Sequence, residues 1–176
     1  MVLSDGKINV VIVARFGKEK GVERALQALV GLGRLKEKFH FHLVGDGDQR
    51  PVILQIIEEQ DLFELVTLHG MTDNPYGYIK AADLLMIPSY SEAAPLVIGE
   101  AASLGTPILS TETSSAYEML RESGYGWVCE NSVEGMTKGL LHLVTETDAI
   151  NEKKRYLAEC EHNNLLAESQ FFELLL

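Results

Sequence analysis

The segment SYSEAAPLVIGE, Ser89 to Glu100, carries two carboxylates, Glu92 and Glu100, around an apolar stretch that opens on Pro95. A proline there suits the first position of a helix, where its missing N–H is not needed. The next backbone N–H groups, near Leu96 and Val97, have no intrahelical partner, so they can hold a phosphate. Positive charge at a helix N-terminus adds about 0.3–1 kcal/mol per anion contact. Glu100, four residues after Leu96, falls on the same helix face, where a carboxylate can accept two hydrogen bonds from a ribose diol. Glu92, at the mouth of the loop, is placed to contact a sugar beyond the phosphates. Two solvated glutamates on an amphipathic helix are the ordinary alternative. Against it, Glu100 falls inside PLVIGEAASLG, where a buried charge is costly unless paired or functional.

Two further segments could serve the same ligand. In ARFGKEKG, Arg15 ends an apolar run and Lys20 opens the following helix, and fixed cations stabilise the charge that a diphosphate leaving group develops. In GDGD, Asp46 and Asp48 could form a metal-binding carboxylate pair. Alternatively, Gly45 and Gly47 form a backbone turn that a ligand can approach closely. The glycine reading is preferred, because no further carboxylate or histidine ligand can be placed nearby. His40, His42, His69, His142 and His162 suggest no catalytic arrangement, and Tyr76, Tyr78 and Tyr90 could either stack on a base or sugar or edge the core.

Positioning these groups requires elements that converge at one edge. Short β-branched or aliphatic runs alternate with segments of helical period, the pattern of βα units in a parallel sheet. Strands are expected at Ile8–Val13, Phe39–Val44, Val66–His69, Asp83–Ile87, Pro107–Ser110 and Gly126–Cys129. Helices are expected from Val22 to about Lys36, after GDGDQ to about Gln60, near Tyr76–Ala82, over Leu96–Ser103, from a cap at Ser114 or Ser115 through Arg121, and after Cys129 to the C-terminus. In a doubly wound sheet ligands bind beyond the carboxyl ends of the strands, and every segment singled out above follows an expected strand.

The 176 residues suit one globular domain. A net charge of -11 argues against a surface that attracts nucleic acid or anionic lipid. Cys129 and Cys160 are far apart and lack metal-ligand spacing, so free thiols in a reducing, cytoplasmic compartment are expected. The apolar run before Arg15 is too short for a membrane span. The ending FFELLL is apolar enough to need a cover.

Together ARFGKEKG, LVGDG, His69-Gly70, AADLLMIPSYSEAAPLVIGEAASLGTPIL and TETSSAYE resemble the C-terminal domain of retaining GT-B glycosyltransferases, especially glycosyltransferase family 4. The resemblance runs over about residues 8–130 and is carried most specifically by the Glu92/Glu100 spacing and the Arg15/Lys20 pair. It implies a Rossmann-like, doubly wound α/β sheet of about six strands, the C-terminal half of a GT-B enzyme. Arg15 and Lys20 would contact the donor diphosphate, Glu92 the transferred sugar and Glu100 the ribose. Backbone near Gly45, Asp46, Gly47 and Met71, and the loop through Ala94, Pro95, Leu96 and Val97, would approach the phosphates or base. Transfer would retain anomeric configuration, with no metal and no cofactor beyond the nucleotide-sugar substrate.

Two departures bear on sugar choice. Ala93-Ala94 stands where the family has glycine and often an aromatic residue, and Ser114-Ser115 replaces a glycine pair before the matching Glu118. GT-B enzymes have a second, N-terminal domain for the acceptor, here a saccharide or lipid-linked sugar. Residues 1–176 are therefore expected to form one nucleotide-sugar-binding domain, inactive alone, with the final helix from about 150 crossing onto the missing domain and any membrane association running through that domain. A stand-alone nucleotide-sugar-binding or regulatory module is the alternative. A nucleotide-sugar epimerase is a weaker one, for want of catalytic acid and base residues.

Overall fold

The apolar runs form strands because two layers of helices bury both faces of the sheet they make, which lets β-branched residues continue without alternation. A computed structural model describes residues 3, 6–91, 96–146 and 148–160. Six parallel strands, β1 (Ile8–Val13), β2 (Phe39–Val44), β3 (Val66–Gly70), β4 (Leu84–Ile87), β5 (Ile108–Thr111) and β6 (Gly126–Cys129), lie in the order β3-β2-β1-β4-β5-β6. The order reverses at β1, so β1 pairs with β2 on one side and β4 on the other, and its loop meets loops from both halves of the sheet.

Helices α1 (Val22–Gly31), α2 (Arg50–Glu59) and α6 (Val133–Thr145) cover one face, joining Val10, Ile12, Phe41 and Leu43 in the larger core. Helices α3 (Tyr76–Ala81), α4 (Leu96–Ser103) and α5 (Ser114–Ser123) cover the other, with Ile79, Ile98, Ala101 and Leu120 packed on Val11 and Leu85.

Several boundaries differ from expectation for identifiable reasons. Helix α1 stops at Gly31, and a 3-10 segment, Gly33–Lys38, takes the place of its last turns after Gly33 adopts a φ of 58°. Lys20 does not open α1: it ends a 3-10 turn, Lys18–Lys20, and Gly21, at a φ of 62°, separates it from the helix. The cap of α5 is Thr113, whose side chain accepts the Ala116 N–H at 3.4 Å, rather than either serine. Strand β5 starts one residue late because Pro107 has no N–H for the ladder.

The chain is not one helix after β6. Helix α6 ends at Thr145, and a second helical segment occupies 149–160. That segment, expected to cross onto another domain, is fastened to this one as far as residue 160. Leu157 is buried, Lys154 pairs with Asp83 at 2.8 Å, Lys153 donates to the Gly124 carbonyl and the Tyr156 hydroxyl to that of Ser123. The apolar ending from Phe171 lies outside the described residues. Among the described residues no helix is long and apolar enough to cross a membrane.

Candidate donor site

Two cavities open side by side at the carboxyl edge of the sheet and share Val13, Ala14 and Arg15 at the end of β1. The smaller, about 310 Å³, is lined by Arg15, Lys20, Pro88, Ser89, Leu96 and Val97 among others. The larger, about 690 Å³, lies between β1, β2 and the loop after β3, against Gly45, Asp46, Gly47, Asp48, Met71, Thr72 and Pro75. The pairing of β1 with β4 thus brings both cations to the first turn of α4, where backbone N–H groups lack intrahelical partners. Leu96 is 80% exposed and Met71 84% exposed, at the rims of their cavities.

The floor of the larger cavity explains the glycines of GDGD. Gly45 and Gly47 adopt φ values of 139° and 155°. A β-carbon on Gly45 would lie 1.9 Å from the Ala14 carbonyl oxygen, and one on Gly47 2.7 Å from that of Phe16. The two loops are laced together by the Phe16 N–H on Asp46 O at 2.8 Å and the Gln49 N–H on Phe16 O at 2.9 Å. The glycines therefore admit a neighbouring strand loop, which in turn forms the cavity floor. Asp46 accepts the Gly47 N–H at 2.8 Å and meets Arg50 at 3.4 Å, while Asp48 faces Arg15 at 3.6 Å. Among the described residues no group of three or more His, Cys, Asp or Glu side chains is placed to hold a metal ion.

Glu100 is half-buried rather than enclosed, and its Oε1 accepts a hydrogen bond from the Tyr76 hydroxyl at 3.2 Å. On α4 Ile98 and Ala101 are buried, while Glu100 meets Tyr76 of α3. Glu92, Ala94 and Pro95 lie outside the described residues, so the structure places Arg15, Lys20, Leu96 and Val97 together and Gly45, Asp46, Gly47 and Met71 together.

An arginine that sequence reasoning passed over holds the loop after β4. Arg24 of α1 is only 5% exposed. Its Nη2 donates to the Pro88 carbonyl at 2.5 Å, its Nη1 to Asn131 Oδ1 at 2.9 Å, and its guanidinium stacks 3.6 Å from the Tyr90 ring centroid. Asn131 in turn donates to the carbonyls of Tyr90 and Glu112. Thr111 adds a bond to Ser89 O at 2.7 Å, and the Tyr90 N–H one to Glu19 O at 2.9 Å. The cationic turn and residues 88–90 after β4 are thereby locked to each other.

Residues 2–160 match the family model for glycosyl transferases group 1. The chain belongs to that family. Over 180 residues it is 27% identical to the amylovoran biosynthesis glycosyltransferase AmsK of Erwinia amylovora, covering 96% of this chain and 44% of that protein. The N-acetyl-alpha-D-glucosaminyl L-malate synthase of Bacillus anthracis is 27% identical over 128 residues, 73% of this chain and 33% of the relative. Among solved structures, WaaG, a glycosyltransferase involved in lipopolysaccharide biosynthesis, superposes with a TM-score of 0.75 at 25% identity, over 89% of this chain and 44% of that one. Anabaena HepE in complex with UDP superposes with a TM-score of 0.71 at 19% identity, over 97% of this chain and 49% of that one. The fold is thus the Rossmann-like half of GT-B glycosyltransferases, and this group 1 chain spans less than half the length of the relatives named.

Proposed function

We propose that the chain is the donor-binding half of a retaining, metal-independent glycosyltransferase, and that its two joined cavities take a nucleotide-diphosphate sugar. The observation that supports this most is the lining of the smaller cavity, where Arg15 and Lys20 face the first turn of α4. A diphosphate there would meet two cations and a helix N-terminus at once. Charge accumulates on the diphosphate as its bond to the sugar breaks, and Arg15 and Lys20 would stabilise it without an acid or a metal. Glu100 would bind the ribose diol, the backbone of Gly45–Gly47 and Met71 would border the phosphates or base, the loop through Ala94 and Pro95 would take part in donor binding, and Glu92 would contact the sugar. A second domain would bring a saccharide or lipid-linked acceptor, and this half alone would bind the donor without transferring the sugar. Relatives named for amylovoran biosynthesis and for lipopolysaccharide biosynthesis support that acceptor class, and on this reading the chain works in the cytoplasm.

Calorimetric titration with UDP-, GDP- and ADP-sugars, each with and without EDTA, tests the reading. At least one donor binds, and EDTA leaves its affinity unchanged. Absence of binding by all three sinks the donor site, and binding abolished by EDTA sinks metal independence.

A further inference from the structure

We infer that Tyr76 is a positioning residue of this site, holding the Glu100 carboxylate in place for the ribose hydroxyls. The inference rests on the donor-site reading above and adds to it a residue from a different helix. Glu100 is half-buried on α4, and a glutamate with that much freedom loses side-chain entropy when a ligand fixes it. The Tyr76 hydroxyl, donating to Oε1 at 3.2 Å, removes part of that freedom beforehand. A carboxylate offers about four acceptor positions. One bond to Oε1 therefore leaves Oε2 and a second lone pair of Oε1 for a diol, and tyrosine and ribose can be held together.

The backbone that carries the tyrosine is well fixed, while its ring is 46% exposed. It sits in the first turn of α3, directly after Pro75, which lines the larger cavity. The turn leading into it is closed by the Asn74 N–H on Thr72 Oγ1 at 3.1 Å and the Gly77 N–H on Asn74 Oδ1 at 3.3 Å. Helix α3 is pinned beneath by the buried Ile79, whose carbonyl accepts from Thr106 Oγ1 at 2.8 Å just beyond α4. The Tyr76–Glu100 bond thus joins the rim of the larger cavity to the helix whose first turn lines the smaller. The negative charge of Glu100, with the hydrogen bond to it, raises the tyrosine's pKa and keeps the hydroxyl a donor.

Tyr76→Phe removes the hydroxyl and keeps the ring. Calorimetry on the wild-type and variant chains, with whichever of UDP, GDP and ADP binds best and with its 2′,3′-dideoxy counterpart, separates the outcomes. The variant binds the ribose nucleotide about fivefold more weakly, the size of one ordinary hydrogen bond, and binds the dideoxy nucleotide as wild type does. Unchanged or tighter binding of the ribose nucleotide overturns the role, since the hydroxyl would then be a bystander or a competitor. Equal weakening of both ligands also overturns it, showing a general packing effect. A wild-type chain that binds neither overturns the donor site and this role with it.

Discussion

Arg15 already has an anionic partner in Asp48, 3.6 Å away and as exposed as itself. Such a surface pair is weak, so it yields readily to a diphosphate while still competing with it. Asp48→Asn should therefore tighten nucleoside-diphosphate binding by about threefold, read by calorimetry at low salt, and unchanged or weaker binding would contradict the assignment of Arg15 to the phosphates. Glu100→Ala should weaken the same ligand by about 1–3 kcal/mol, because ribose hydroxyls lose their acceptor, and should leave inorganic pyrophosphate unaffected. Loss of pyrophosphate binding in that variant would count against the ribose role. From sequence Glu100 drew attention because a charge stood alone in an apolar stretch. Its partner was not, since Tyr76 meets it only through the packing of α3 beside α4.

Elements reach the site through side chains that look unremarkable in their own segments. In VERALQALVG, Arg24 reads as an ordinary polar position of an amphipathic helix. It is buried because Pro88 and Asn131, 64 and 107 residues away in sequence, close over it. Arg24→Ala would leave the Pro88 carbonyl and the Asn131 amide oxygen without their donor inside the protein. We expect a loss of about 2–4 kcal/mol of folding stability in urea, and a recovery of less than half of it in Arg24→Lys, which cannot reach both acceptors. Full recovery by lysine would show that charge alone matters there. The six strands and most helix positions were legible because hydrophobic period is a local property. The cap at Thr113, the break after Gly31 and the end of α6 at Thr145 were not, because they depend on backbone angles and on which of several hydroxyls meets a free N–H.

Across the whole molecule, the least legible feature is a polar relay through the sheet. Lys154 pairs with Asp83, which accepts from both nitrogens of Asn9, and the Asn9 Oδ1 faces His42 Nε2 at 3.1 Å. Since Oδ1 only accepts, His42 carries its proton on Nε2, and its Nδ1 accepts from His69 Nε2 at 3.1 Å. Burial first, then the neighbouring His40 and His69, lowers the His42 pKa from 6.5 to about 4. A second proton would set two N–H groups against each other. The unfolded chain binds that proton below about pH 6.5 while the folded chain resists it down to about pH 4, so stability falls as pH drops through this window. The loss at His42 is at most about 3 kcal/mol, and His40 and His69, also lowered, add in the same direction. Urea midpoints at pH 7 and pH 5 should differ accordingly, and His42→Asn should flatten the difference. An equal slope in that variant would assign the effect elsewhere. From sequence, the alternation of His40 and His42 gave their shared face but not this chain of partners, which spans three strands and the helical segment 149–160.

The strand order also sets a schedule. Strand β1 lies inside the sheet, yet its β4 side stays open until residues 84–87 have been synthesised. Helix α1 waits longer, because the Met136, Leu140 and Leu143 that complete its core belong to α6. On the ribosome, β1, β2 and β3 with α1 and α2 can assemble as they emerge, but one apolar flank stays uncovered until α6 has followed. The nascent segment is thus most vulnerable to association with other chains just before α6 arrives.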